Sequence, residues 1–159
     1  MPLTVVNQDA PPDAYVAACG DLIAAVSLWT SSPWVNTFTL FDPASDTSQV
    51  YSMSALPASM TFGQGSADPA GDSAWFAGFS GSTSTVALVR IFPDATYTVW
   101  TMSDSGGNQR FAAAGPTHVY VGRINSASGG RIFNRSTGTW VGVANCIPRI
   151  FPQWYGGYW

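Results

Sequence analysis

Apolar and polar positions alternate along Thr85-Val86-Ala87-Leu88-Val89-Arg90-Ile91 and again along Thr96-Tyr97-Thr98-Val99-Trp100. A period of two sends successive side chains to opposite faces of an extended chain, so both runs predict β-strands. Between such runs stand Ser80-Gly81-Ser82, Pro93-Asp94, Ser105-Gly106-Gly107-Asn108, Ser128-Gly129-Gly130 and Ser136-Thr137-Gly138. These are turn formers: Gly reaches positive φ, Pro fixes its own φ, and Asn, Asp and Ser bond back to the nearby backbone. The pattern predicts strands over 74–79, 86–92, 96–102, 118–124 and 131–134, with a short one around Phe111. The expected class is all-β, with no helix longer than about two turns.

The strands recur in order. Thr96-Tyr97-Thr98-Val99-Trp100-Thr101-Met102-Ser103 matches Thr47-Ser48-Gln49-Val50-Tyr51-Ser52-Met53-Ser54, and the same offset of 49 relates Phe111 to Phe62. Arg90-Ile91-Phe92 returns as Arg131-Ile132-Phe133, and Ala74-Trp75-Phe76-Ala77-Gly78 as His118-Val119-Tyr120-Val121-Gly122. Leu22-Ile23-Ala24-Ala25-Val26 is a looser copy of the latter. Near the N-terminus, Val16-Ala17-Ala18-Cys19-Gly20 echoes Phe111-Ala112-Ala113-Ala114-Gly115. The repeats divide one domain, residues 1–159, into a half repeat (1–20), three repeats (21–63, 64–112 and 113–150) and an aromatic tail (151–159).

Four strands in about 45 residues is the size of one β-propeller blade. Leu40-Phe41-Asp42-Pro43, Arg90-Ile91-Phe92-Pro93 and Arg131-Ile132-Phe133-Asn134 each run on to a Thr-rich strand. In this the chain resembles the blades of WD40 and kelch-type propellers in general, without the motif of any subfamily. The resemblance implies about three and a half propeller-like repeats. That number falls short of the four blades of the smallest ring, so either the half repeat closes a fourth blade or free edges meet another subunit. Three similar β units also fit a β-trefoil or a β-prism, which stands as the alternative.

Composition reinforces the class. All six basic residues are Arg and all nine acids are Asp, so Lys and Glu, two strong helix formers, are absent. Charged residues make up 9% of the chain, while Ser and Thr supply 32 of its 159 positions. A net charge of −3 with dispersed Arg gives no footprint for nucleic acid. No apolar run is long enough to cross a membrane as a helix, so no membrane insertion is expected. The first residues lack the basic and apolar regions of a secretory signal.

Few residues offer chemistry. Cys19 and Cys146 make no metal knuckle or redox pair; they read as two buried free thiols, with a disulfide as the other option. The single histidine, His118, falls inside a strand where the preceding repeat has Ala74, and no Gly-x-Ser-x-Gly motif accompanies it. Asp42, Asp68, Asp72, Asp94 and Asp104 stand beside Pro, Gly or Ser, where capping of turns explains them. Calcium on Asp104 is conceivable, yet the calcium-loop spacing is absent. Asn134-Arg135-Ser136 forms one glycosylation sequon, read as an accident of a Ser-rich chain. The expectation is a protein that is not an enzyme, with no catalytic residues, metal or cofactor.

The seven Trp carry the remaining information. Trp75, Trp100 and Trp140 occupy repeat-equivalent strand positions and read as core. Trp29 and Trp34 flank Thr30-Ser31-Ser32-Pro33, a hairpin tip suited to a sugar ring or to a protein contact. Phe151, Trp154, Tyr155, Tyr158 and Trp159 crowd the tail and are expected to bind a partner. An uncharged surface rich in Ser, Thr, Gly and Trp suits a protein facing the outside world, and a virion protein released by lysis needs no export signal. The expected function is therefore a structural or host-recognition component of a bacteriophage particle, at a tail or head surface. Its partners would be further copies of itself or other virion proteins, with a host-surface glycan as an additional candidate. The alternative is an extracellular carbohydrate-binding lectin with an oligomeric propeller or trefoil fold.

Overall fold

The computed structural model describes residues 14–27, 36–57, 59–104, 110–123 and 130–144. They form thirteen strands in three antiparallel sheets and, among the described residues, no helix. The first sheet is a meander of β1 (Ala14–Cys19), β2 (Leu22–Ser27), β3 (Thr37–Asp42) and β4 (Thr47–Ser52). In the second, the short strands β5 (Met60–Phe62) and β6 (Ser66–Ala67) share one edge of β7 (Ala74–Ser80). The meander then continues through β8 (Thr85–Ile91) and β9 (Tyr97–Ser103). The third holds β10 (Arg110–Ala114), β11 (His118–Arg123), β12 (Gly130–Asn134) and β13 (Thr139–Ala144).

Turn chemistry sets the hairpins. Asp42 Oδ1 accepts the Ala44 N–H at 2.8 Å, Asp94 Oδ1 that of Thr96 at 3.0 Å, and Asn134 Oδ1 that of Ser136 at 2.9 Å. A short acceptor two residues upstream bends the chain as a backbone turn would. The β3–β4 and β12–β13 loops agree further, each carrying a positive φ four residues on: 54° at Asp46 and 67° at Gly138. The sequon asparagine thus serves as a turn acceptor.

Sheets and sequence repeats are out of phase. The strand around Phe111, fourth in its repeat, pairs forward with β11 and opens the third sheet. Likewise 14–19, in the N-terminal half repeat, pairs with β2 and opens the first sheet. The echo between these two segments joins strands of the same rank.

The alternation divides the middle sheet between two cores. Ala74 and Phe76 of β7, with Ala87, Val89 and Ile91 of β8, pack toward Cys19, Val26, Phe38 and Leu40 of the first sheet. Their neighbours Trp75, Ala77, Phe79, Val86 and Leu88 pack toward Ala112, Val119, Val121 and Phe133 of the third. Every residue of β7 is consequently buried. The opening strands of the second and third sheets also touch directly. Ala112 N–H donates to the Gln64 carbonyl at 2.9 Å and Ala114 N–H to Ser66 Oγ at 2.8 Å. Gly63 permits this approach, because a Cβ there would lie 1.7 Å from the Arg110 carbonyl oxygen.

Candidate binding site

Five of the six Arg of the chain converge on two buried aspartates, one at each end of the core between the second and third sheets. Register fixes the two ends. Asp68 lies near the start of β7, where Trp75 pairs with Arg90, whereas Asp104 follows β9 beside the Ser80–Thr85–Ser103 row.

At the first end Asp68 Oδ2 accepts the Trp75 indole N–H at 2.7 Å and a hydrogen bond from Arg135, and Arg90 Nη2 lies 3.3 Å away. Arg90 also reaches Asp72 Oδ1 at 3.0 Å and donates to Ser73 Oγ at 2.8 Å. Both guanidiniums face the Trp75 ring, at 5.2 and 5.3 Å from its centroid. Burial alone would raise the Asp68 pKa, but the Trp75 and Ala70 hydrogen bonds and the Arg135 charge outweigh it and hold the carboxyl below its ordinary value. Two carboxylates meet two guanidiniums here, so this cluster is balanced.

At the second end three guanidiniums gather on Asp104. Asp104 Oδ2 accepts from Arg110 Nη2 at 2.9 Å and Oδ1 from Arg123 Nη2 at 2.8 Å, while Arg131 Nη2 lies 3.3 Å from Oδ2. Arg110 and Arg123 are direct register partners, and Arg131 pairs with Val121 on the next strand. Three adjacent strands therefore end their inward face in arginine. Burial, with repulsion from Arg123 and Arg131, pushes the Arg110 guanidinium down to about 10, although Asp104 pulls the other way. The carboxylate weighed above for calcium instead holds cations of the chain itself.

Asp68 and Asp104 are thus ion-pair centres rather than simple turn caps. Their neighbours in sequence, Pro69 and Ser105, point to turns, and the arginine partners lie up to 67 positions away. The matched offset of Arg90 and Arg131 was a usable signal: both stand on the third strand along the path of their sheet and reach the junction.

The core tryptophans form one aromatic cluster. Trp75 stacks on Trp100 at 5.6 Å, and Phe133 lies 4.8 Å from Trp100 and 5.3 Å from Trp140. His118, on β11, has its Nδ1 3.0 Å from Thr117 Oγ1. Cys19 is a free, buried thiol that donates to the Ile91 carbonyl at 3.3 Å. Trp29, Trp34, Cys146 and the tail residues Phe151, Trp154, Tyr155, Tyr158 and Trp159 lie outside the described residues.

No protein-family model matches the chain, and no curated protein does. Among solved structures, the chain is similar to apo AztD from Citrobacter koseri, with a TM-score of 0.51 at 12% identity. The match covers 85% of this chain and 47% of that one, so the chain spans about half the length of its structural neighbour. The likeness is one of fold.

Proposed function

We propose that the chain is a non-catalytic assembly unit: three propeller-like blades whose two outer faces pack against a further copy, as a structural or host-recognition component of a bacteriophage particle. The observation that carries the assembly reading is the face-to-face stacking already used twice within the chain. The first and third sheets each use one face in that stack. Away from the stack the first sheet bears Val16 and Val50, 58% and 63% exposed, and the last strand of the third bears Val141, 52% exposed at a bulge, while Phe111, Ala113 and Tyr120 of β10 and β11 are buried. Three blades fall short of a closed ring, and a second copy would offer the same kind of face. The virion setting rests on the composition and supplies the many copies such stacking needs.

A binding rather than catalytic role is supported by the state of the buried carboxylates. Glycosidase chemistry requires a carboxylic acid kept protonated near neutral pH. Asp68 is held below its ordinary value, and both oxygens of Asp104 face guanidiniums. Sedimentation velocity tests the proposal. The wild-type chain should associate, and V16D or V141D should weaken association at least tenfold without loss of β-structure by circular dichroism. A wild-type chain that stays monomeric at tens of micromolar would overturn it.

A further inference from the structure

The three sheets end in β4, β9 and β13, and each of these strands carries backbone donors and acceptors on the side away from its neighbour. Two of the three are guarded. β9 lies between the other sheets, sending Tyr97 and Val99 to one core and Trp100 and Met102 to the other, so a strand added there would enter between two layers. β13 breaks step with β12 at Phe133, which leaves Val141 as an extra residue, and a bulge of this kind spoils an edge for further pairing.

β4 has neither guard. It pairs with β3 over six consecutive residues, from Thr37–Ser52 to Asp42–Thr47, without a slip. Its sequence, Thr-Ser-Gln-Val-Tyr-Ser, holds no charge and no Pro, two of the usual blocks on a natural edge. Every residue of it but Tyr51 is exposed, so the strand meets solvent on both faces. Among the described residues β3 is its one strand neighbour.

We propose that β4 pairs antiparallel with β4 of a second copy, joining two first sheets into one of eight strands. Facing residues in an antiparallel pair share a sheet face and a hydrogen-bonding side, so under two-fold symmetry the axis passes through a residue and not between two. That residue is Val50. In this register its side chain, 63% exposed in the single chain, meets its own counterpart, while Ser48 faces Ser52 and Gln49 faces Tyr51. With Gln49 on the axis Val50 would face Ser48 and gain no apolar neighbour. Charge also suits a second copy as the occupant: Asp46, next to the strand, comes to stand opposite Ser54, so no like charges meet. Edge pairing extends a sheet sideways and face stacking adds a layer, so this contact stands or falls apart from the stacking proposed above.

Hydrogen exchange on the full chain tests the pairing, with V16D included to weaken stacking. Edge pairing ties up the outward amides of β4, which face stacking leaves free. Exchange at alternate β4 residues should therefore slow as protein concentration rises to about 1 mM, in the wild type and in V16D alike. V50K sets two like charges against each other on the axis and should abolish that concentration dependence. A cross-link reads the register. In a Cys19→Ala, Cys146→Ala background, V50C should form a disulfide dimer about tenfold faster than Q49C under mild oxidation, since only position 50 meets its own copy. Exchange at β4 that does not change with concentration would overturn the proposal, whether the amides are open throughout or protected by the chain's own residues. Equal cross-linking of V50C and Q49C would overturn it as well.

Discussion

Phe111 lies directly across the β10–β11 pair from Gly122, and its ring fills the space that a side chain at 122 would need. A Cβ added there would stand 2.1 Å from the ring Cζ. Phe62 and Gly78 hold the same relation between β5 and β7, with a looser 3.0 Å approach. An aromatic ring laid over a cross-strand glycine covers backbone that would otherwise lack packing.

Gly122→Ala should therefore destabilise the fold by about 1–3 kcal/mol, as overpacking does in a filled core. Gly78→Ala should cost less, because the methyl meets the ends of Met60 and Phe62 side chains. Urea unfolding measures both. The pair F111A/G122A should be less destabilised than the sum of its single variants, since removing the ring removes the clash.

Those glycines show how far the fold was legible. The repeat already aligned Gly78 with Gly122 and Phe62 with Phe111, and alternation marked β8 and β9 to within a residue or two. The phase of the sheets was not legible. Short turns look alike whether a strand pairs back or forward, and only the ladder shows that Phe111 pairs with Gly122. The ion-pair centres were hidden for another reason. Asp68 and Asp104 sit in turn-like sequence, while partners such as Arg135 and Arg131 arrive from a different sheet.

Asp68→Asn should lower stability by roughly 3–5 kcal/mol, because it leaves Arg90 and Arg135 short of a buried counter-charge. Since folding lowers the Asp68 pKa, the stability it confers is complete above the ordinary carboxylate range. It is lost as pH falls through the lowered folded value. Acid unfolding should accordingly lose part of its pH dependence in D68N. Asp94→Asn, in an exposed turn, should leave the neutral-pH midpoint nearly unchanged.

The Cys19 thiol gives an alkaline counterpart. Burial first, then the charges of Asp72 and Asp94, push it up to about 11 from 9.0, against an opposing backbone hydrogen bond. A raised folded pKa means that the stabilising contribution is whole below the unfolded value and lost as pH climbs toward the folded one. From below pH 9 to above pH 11 the wild type should lose roughly 2–3 kcal/mol in all relative to Cys19→Ala, two pKa units at about 1.36 kcal/mol each. The thiol should also resist alkylation at pH 8 until the protein unfolds.

The most direct test of assembly through the outer faces is a cross-link between copies. One preparation carries Val16→Cys and a second, isotopically heavy, carries Val141→Cys, both in a Cys19→Ala, Cys146→Ala background. Stacking of a first sheet on the third sheet of another copy predicts a mixed light–heavy disulfide joining residues 16 and 141, identified by mass spectrometry after mild oxidation. Monomers in sedimentation together with no light–heavy species would contradict the account.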